Sequence, residues 1–157
     1  MLSGEKILVT GPAGQIAFSM ARYLARENEV WGIARFGDPT LRTQVEDAGI
    51  TTRVCDLGDD DLADVPDDFS YVLHLAVFQD PGLDFDRAIR VNAEGTGFLL
   101  AHCRRAQAAL VMSTHSVYRP NDDPMHSYVE TDPLGEVNSQ LAPTYSMSKI
   151  TQEAVAR

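Results

Sequence analysis

Apolar residues along this chain alternate between two rhythms, and each rhythm predicts a different element. Short β-branched runs closed by turn residues predict strands at Lys6–Val9, Glu29–Ala34, Thr51–Cys55, Ser70–Ala76 and Ala109–Ser113. Between them the spacing becomes helical. From Gln15 onward, Ile16, Met20, Tyr23 and Leu24 share one face, and Thr40 to Ala48 forms a short helix with Gly49 placed as its stop. Asp84 to Gln107 reads as a long helix with Ile89, Asn92, Phe98 and Leu99 placed for burial in part. A polar Asn92 amid such a helix has to be exposed or fully hydrogen-bonded. Tyr71 to Ala76 is apolar enough for a buried central strand, which makes His74 within it a packed core histidine. Arg119 to Pro143 carries four prolines and many Asp, Asn and Ser residues, so it is loop. Connections of that length in compact domains are usually lids or binding loops, which places it beside the active site. Pro143 and Thr144 then open a last helix. Strict alternation of strand and helix, with right-handed crossovers, predicts a doubly wound parallel α/β sheet in spatial order 3-2-1-4-5.

Composition narrows the picture without changing it. A chain of 157 residues, 44% hydrophobic, can bury one good core and has the length of a single domain, 1–157. A formal net charge of −10 argues against binding nucleic acid or an anionic membrane surface. The expected partner is therefore a small molecule in a local site, with a homodimer left open. The amino terminus lacks the apolar core of a signal peptide and no run approaches the length of a membrane span, so the expected location is the cytoplasm. Two cysteines, Cys55 and Cys103, sit in apolar contexts without metal-like spacing and read as reduced, buried residues.

The first strand runs directly into Thr10-Gly11-Pro12-Ala13-Gly14-Gln15-Ile16-Ala17. Gly11 permits a sharp turn, Gly14 lets backbone approach a pyrophosphate, and small Ala17 allows close helix–strand packing. The helix that follows would present free N–H groups and its positive dipole end to phosphates. Glycines of this kind also suit an ordinary strand-to-helix turn, but a second strand one helix later completes the βαβ unit that a dinucleotide site requires. After that second strand stands Arg35, where an acidic residue would bind the 2′-hydroxyl of NAD. An arginine there can instead pair with a 2′-phosphate, so NADP is favoured over NAD. Asp56, directly after the third strand, can reach the adenine, although an Asp before glycine is also a common cap. The acidic run Asp59-Asp60-Asp61-Leu62-Ala63-Asp64, with Asp67 and Asp68, lacks the glycine and glutamate positions of a calcium loop. It reads as a solvated, acidic helix start, and no metal is expected.

Thr114, past the fifth strand, with Tyr145 and Lys149 one turn apart on the last helix, suits proton-coupled hydride transfer. A free tyrosine has a pKa near 10, so it needs help to act as acid or base at neutral pH. An ammonium one turn away and an oxidised nicotinamide ring would both favour the phenolate. Thr114 would orient the substrate oxygen toward Tyr145, and Lys149 would also hold the nicotinamide ribose.

The order of these motifs resembles the short-chain dehydrogenase/reductase superfamily, and within it the extended branch of epimerases, dehydratases and reductases. The resemblance covers essentially the whole chain. It rests on the glycine loop, Asp56-Leu57, His74-Leu75-Ala76, Val91-Asn92-Ala93-Glu94-Gly95-Thr96, Ser113 to Tyr118, Val129 to Pro133, and Tyr145-Ser146-Met147-Ser148-Lys149. It implies a Rossmann-type NAD(P)-binding domain. Its cofactor residues would be Gly11, Ala13, Gly14, Gln15, Ile16, Arg35, Asp56, Leu57, Leu75, Ala76, Val77, Asn92, Tyr145 and Lys149, and its catalytic residues Thr114, Tyr145 and Lys149. The implied activity is that of an NAD(P)-dependent oxidoreductase, epimerase or dehydratase acting on a small molecule such as a nucleotide sugar. Three positions depart from the pattern: Ala17 for the third loop glycine, Val77 for the second alanine after strand four, and Arg119 for glycine after Tyr118. Members of the branch continue for about as many residues again, which leads to the expectation of a portion truncated before its substrate domain, with little turnover by itself. Two other readings are a non-catalytic dinucleotide-binding redox sensor and an inactive fragment; retention of Tyr145 and Lys149 favours the enzyme.

Overall fold

A computed structural model of the protein describes residues 2–59, 62–135 and 143–157. Five strands, β1 (Lys6–Thr10), β2 (Glu29–Ala34), β3 (Thr51–Val54), β4 (Tyr71–His74) and β5 (Ala108–Val111), form one sheet. All neighbouring pairs are parallel, and the order is β3-β2-β1-β4-β5, as the sequence predicts. The helices are α1 (Gln15–Leu24), α2 (Pro39–Asp47), α3 (Phe85–Ile89), α4 (Gly95–His102) and α5 (Tyr145–Ala156), with a π-helical turn, Arg90–Glu94, joining α3 to α4.

The two-residue period of β1 builds two cores from one strand. Ile7 and Val9 are buried with Ala17, Ala21, Val30, Val45 and Ile50, whereas Leu8 is buried on the other side with Ile33, Phe69, Val72 and Leu99. Apolar side chains on both faces require helices on both faces, which is the doubly wound arrangement. Cys55 and Cys103 are buried and form no disulfide. Burial pushes the Cys103 thiol up to about 11, with Asp67 adding to the effect, so it is unreactive. Gly49 has φ +83° and ends α2 in the left-handed region expected of it. No described helix is long and apolar enough to cross a membrane.

Several boundaries differ for identifiable reasons. In α1 the sheet-facing residues are Ala17 and Ala21, while Ile16 and Tyr23 are 60% and 49% exposed. Small side chains bring this helix close to the sheet, with Ile16 and Tyr23 of the expected face turned outward while Leu24 stays packed against the core. The expected 84–107 helix ends at His102 and is interrupted by the π turn. Within that turn Asn92 is buried, and its side chain exchanges two hydrogen bonds with the backbone of Phe78, N–H to Oδ1 at 2.7 Å and Nδ2 to O at 2.9 Å. A local widening of the helix accompanies that clasp. The acidic run does not start a helix: Leu57–Asp59 is a single 3-10 turn, Leu62 and Val65 are buried, and Asp60 and Asp61 lie outside the described residues. Of the long loop, 136–142 also lie outside them. The described part bridges Tyr118 to Leu134 and lines a groove with Ser113, Glu153 and Arg157, at the outer edge of β5.

Gly95, the first residue of α4, shows how closely the chain is packed where the π turn ends. A Cβ added there would stand 2.7 Å from the Leu57 carbonyl oxygen and 2.9 Å from Leu57 Cβ. Alanine gains about 1 kcal/mol of helix propensity over glycine, but overpacking against backbone costs about 1–3 kcal/mol. Gly95→Ala is therefore expected to be less stable in urea unfolding despite its better propensity. Equal or higher stability would mean that the Leu57 turn yields without cost.

Candidate cofactor and active site

The carboxyl ends of β1 to β4 converge on a groove lined by Gly11, Ile33, Arg35, Cys55, Asp56, Leu57, Ala76, Val77, Phe78 and Val91. It therefore collects six of the predicted cofactor residues. Gly11 has φ +66°, and a Cβ there would stand 3.0 Å from Ala76 Cα, so both the turn and the closeness of strand four require glycine. Gly14 caps α1 in extended geometry with no side-chain cap bond. The first N–H groups of α1, at the exposed Gln15 and Ile16, therefore face outward for a ligand. Glycine-shaped close approach, an uncapped helix N-terminus and a groove at the strand ends together fit a dinucleotide.

Arg35 is exposed and reaches both this groove and a shallower depression with Ala13, Phe36, Gly37 and Asp38. Phe36 takes φ +46°, a left-handed conformation costly for an aromatic residue, under the Arg42 guanidinium 5.9 Å from its ring. The nearby Asp38 carboxylate caps α2, accepting from Thr40 N at 2.8 Å and Thr40 Oγ1 at 2.6 Å. Asp56 is more constrained than the sequence suggests. Its Oδ1 accepts from Gly58 N at 3.0 Å and its Oδ2 pairs with Arg87, a contact that no local spacing announced.

A second cluster lies between the sheet and α5. Thr10 Oγ1 meets His74 Nδ1 at 2.8 Å, and His74 Nε2 meets Thr96 Oγ1 at 2.8 Å. Gln152 Nε2 donates to Thr96 Oγ1 at 2.9 Å, and Lys149 Nζ donates to Gln152 Oε1 and, at 2.6 Å, to Met112 O. Lys149 is only 2% exposed. Burial lowers its pKa to about 8, opposed in part by Glu153. Burial, reinforced by the Lys149 charge, lowers His74 to about 4, so the expected packed core histidine is what the structure holds. Leu75 and Ala76 donate their N–H groups to Thr10 Oγ1, which fixes the strand-four end against the glycine loop.

Tyr145 opens α5, half-buried, one turn before Lys149. Thr114 is also half-buried and caps its own turn through Ser116 N at 3.3 Å. Lys149 is thus brought to the end of β5, two residues before Thr114. Asn92 is drawn into the interior, with Nδ2 also donating to Ser148 Oγ at 2.9 Å, and so ties the strand-four loop to α5. Sequence reasoning missed Thr10, Thr96 and Gln152. The available signals were a polar residue ending an apolar strand, and spacings of four from Asn92 and three from Lys149.

Comparison with known proteins bears on this geometry. The family model described as NAD dependent epimerase/dehydratase family matches residues 7–157. No curated protein sequence matches the chain. Among solved structures, a UDP-glucuronic acid 4-epimerase from Bacillus cereus in complex with NAD is 28% identical, with TM-score 0.75, over 96% of this chain and 51% of that one. MoeE5 in complex with UDP-glucuronic acid and NAD is 28% identical, with TM-score 0.72, over 96% of this chain and 48% of that one. A UDP-N-acetylglucosamine 4-epimerase from Methanobrevibacter ruminantium, 22% identical with TM-score 0.79 over 99% of this chain and 50% of that one, shares the fold. The chain spans about half the length of these three structures.

Proposed function

The chain belongs to the NAD-dependent epimerase/dehydratase family, and from that premise we propose that it supplies the cofactor site and the acid–base residues for chemistry at a hydroxyl or carbonyl carbon of a nucleotide sugar. The reaction is an oxidoreduction, epimerisation or dehydration of the extended short-chain type. The observation that carries the reading is the single groove joining Gly11, Arg35, Asp56, Leu57, Ala76 and Val77 at the strand ends. The nucleotide-sugar class is supported by the UDP-glucuronic acid complex of a 28%-identical neighbour.

When bound, the nicotinamide supplies the hydride acceptor or donor. The chain's residues do the rest. Tyr145 moves a proton at its Oη to or from the reacting oxygen, and Thr114 Oγ1 orients that oxygen. Lys149, protonated at neutral pH with a pKa near 8, favours the phenolate form of Tyr145. It also offers the ribose the ammonium N–H that Met112 O and Gln152 leave over.

NADP is favoured over NAD because Arg35 lines the groove while Asp38, beside it in the adjoining depression, is engaged in capping α2. Arg35→Ala is expected to weaken NADP binding by about 1–3 kcal/mol, the range for losing a charge-assisted pair, and to leave NAD nearly unchanged. Titration of wild type and variant with both cofactors tests this; equal losses for both would show that Arg35 does not read a 2′-phosphate.

A further inference from the structure

The buried cluster beside α5 has a hydrogen-bond polarity that can be deduced atom by atom. Thr10 Oγ1 accepts two backbone N–H groups, from Leu75 at 3.0 Å and Ala76 at 2.9 Å, so its own proton has to go to its third contact, His74 Nδ1. His74 Nδ1 is therefore an acceptor, and the neutral ring carries its proton on Nε2. That proton goes to Thr96 Oγ1, whose hydroxyl donates to Asn92 O at 2.7 Å. Gln152 has no freedom left. An ammonium has no acceptor, so the amide oxygen faces Lys149 and the amide nitrogen faces Thr96. The 3.1 Å approach of Gln152 Nε2 to His74 Nε2 is then two donors converging on one hydroxyl oxygen.

We propose that Gln152 is a positioning residue, whose amide, oriented by the Thr10–His74–Thr96 chain, fixes the site and the charge state of Lys149. Gln152 is 1% exposed, and a buried amide between sheet and helix is costly unless every bond is made. Here both amide atoms are engaged, the nitrogen by Thr96 Oγ1 and the oxygen by Lys149, and the product is an amide oxygen aimed at Lys149. With Met112 O it gives the ammonium two neutral acceptors and no buried counter-charge. The titratable groups whose charge is felt at or from Lys149 are His74 from β4 and Glu153 from its own helix. The Glu153 carboxylate is already engaged by Ser113 Oγ and, at 3.1 Å, by Arg157. A glutamine at this position thus keeps Lys149 easier to deprotonate than a carboxylate would, while holding it in place. The inference rests on the assignment of Lys149 to the cofactor site made above.

The test is the Nζ titration of Lys149, followed by NMR on lysine-labelled protein, in wild type, Gln152→Glu and Gln152→Leu. In Gln152→Glu the midpoint is expected to rise by about 1–3 units, because an opposite charge at contact favours the ammonium. Gln152→Leu is expected to lower it. Should the leucine variant fail to fold, the near-isosteric glutamate variant carries the test alone. An unchanged midpoint in Gln152→Glu would overturn the proposal. The pH dependence of cofactor binding is measured on the same samples. Should Nζ shift while the binding profile stays fixed, the positioning role of Gln152 stands and the assignment of Lys149 to cofactor binding fails.

Discussion

Tyr145→Phe is expected to lower turnover about 10²–10⁴-fold, the range for loss of a positioned proton donor, while cofactor affinity barely changes. The substitution removes one oxygen and keeps the ring that packs at the start of α5. Any structural effect should therefore be small beside the chemical one. Lys149→Ala supplies the contrast, because that side chain both favours the phenolate and is placed to hold the ribose; turnover and cofactor affinity are expected to fall together. The measurement is steady-state turnover with whichever substrate the wild-type protein converts, beside a direct cofactor titration. An undiminished rate in Tyr145→Phe would remove Tyr145 from the mechanism.

Acidification is expected to destabilise the fold through His74. Its folded pKa is about 4 against an ordinary value of 6.5, with burial the first cause and the Lys149 charge the second. Above about 6.5 both folded and unfolded states hold a neutral imidazole, and the group has no pH effect. Below it the unfolded chain takes up a proton that the folded protein refuses, so stability falls as pH falls, with a limiting slope of about 1.4 kcal/mol per pH unit. The loss is complete once pH passes the folded pKa near 4. Structure explains the refusal, since Nδ1 already accepts from Thr10 and a second ring proton would face that hydroxyl. Urea melts between pH 4 and 7 on wild type and His74→Gln should show the slope of the wild type flattened in the variant. Parallel profiles would mean that His74 can be protonated in place. Exposed carboxylates with lowered pKa, such as Asp38 and Asp68, lose stability in the same direction but are common to both proteins.

The sheet was legible in the sequence because its signal is local. Ile7 to Val9, Val30 to Ala34 and Tyr71 to Leu73 are apolar on both faces, which only a covered parallel sheet tolerates, and a helical segment follows each of the first two strands. Gly11 and Gly49 were legible for the same reason, as backbone conformations that one residue type accepts. The face of α1 was less so. Hydrophobic size pointed to Ile16 and Tyr23, whereas closeness to the sheet selected Ala17 and Ala21, and closeness is not a property of the helix alone.

The sequence by itself therefore determined the strand order, the glycine loop, and the candidate groups Thr114, Tyr145 and Lys149, since periodicity, turn chemistry and motif order are all readable along the chain. Only the tertiary structure decided what holds Lys149, why Asn92 is buried, and that Arg87 pairs with Asp56. The partners in those contacts stand between 3 and 56 residues apart. A buried polar atom takes whichever donor or acceptor the fold brings within about 3 Å, because leaving it unpaired costs more than any local preference. Which atom that is depends on how α5 and the π turn pack over β4: even Gln152, three residues from Lys149, has its amide oriented by Thr96 on another element.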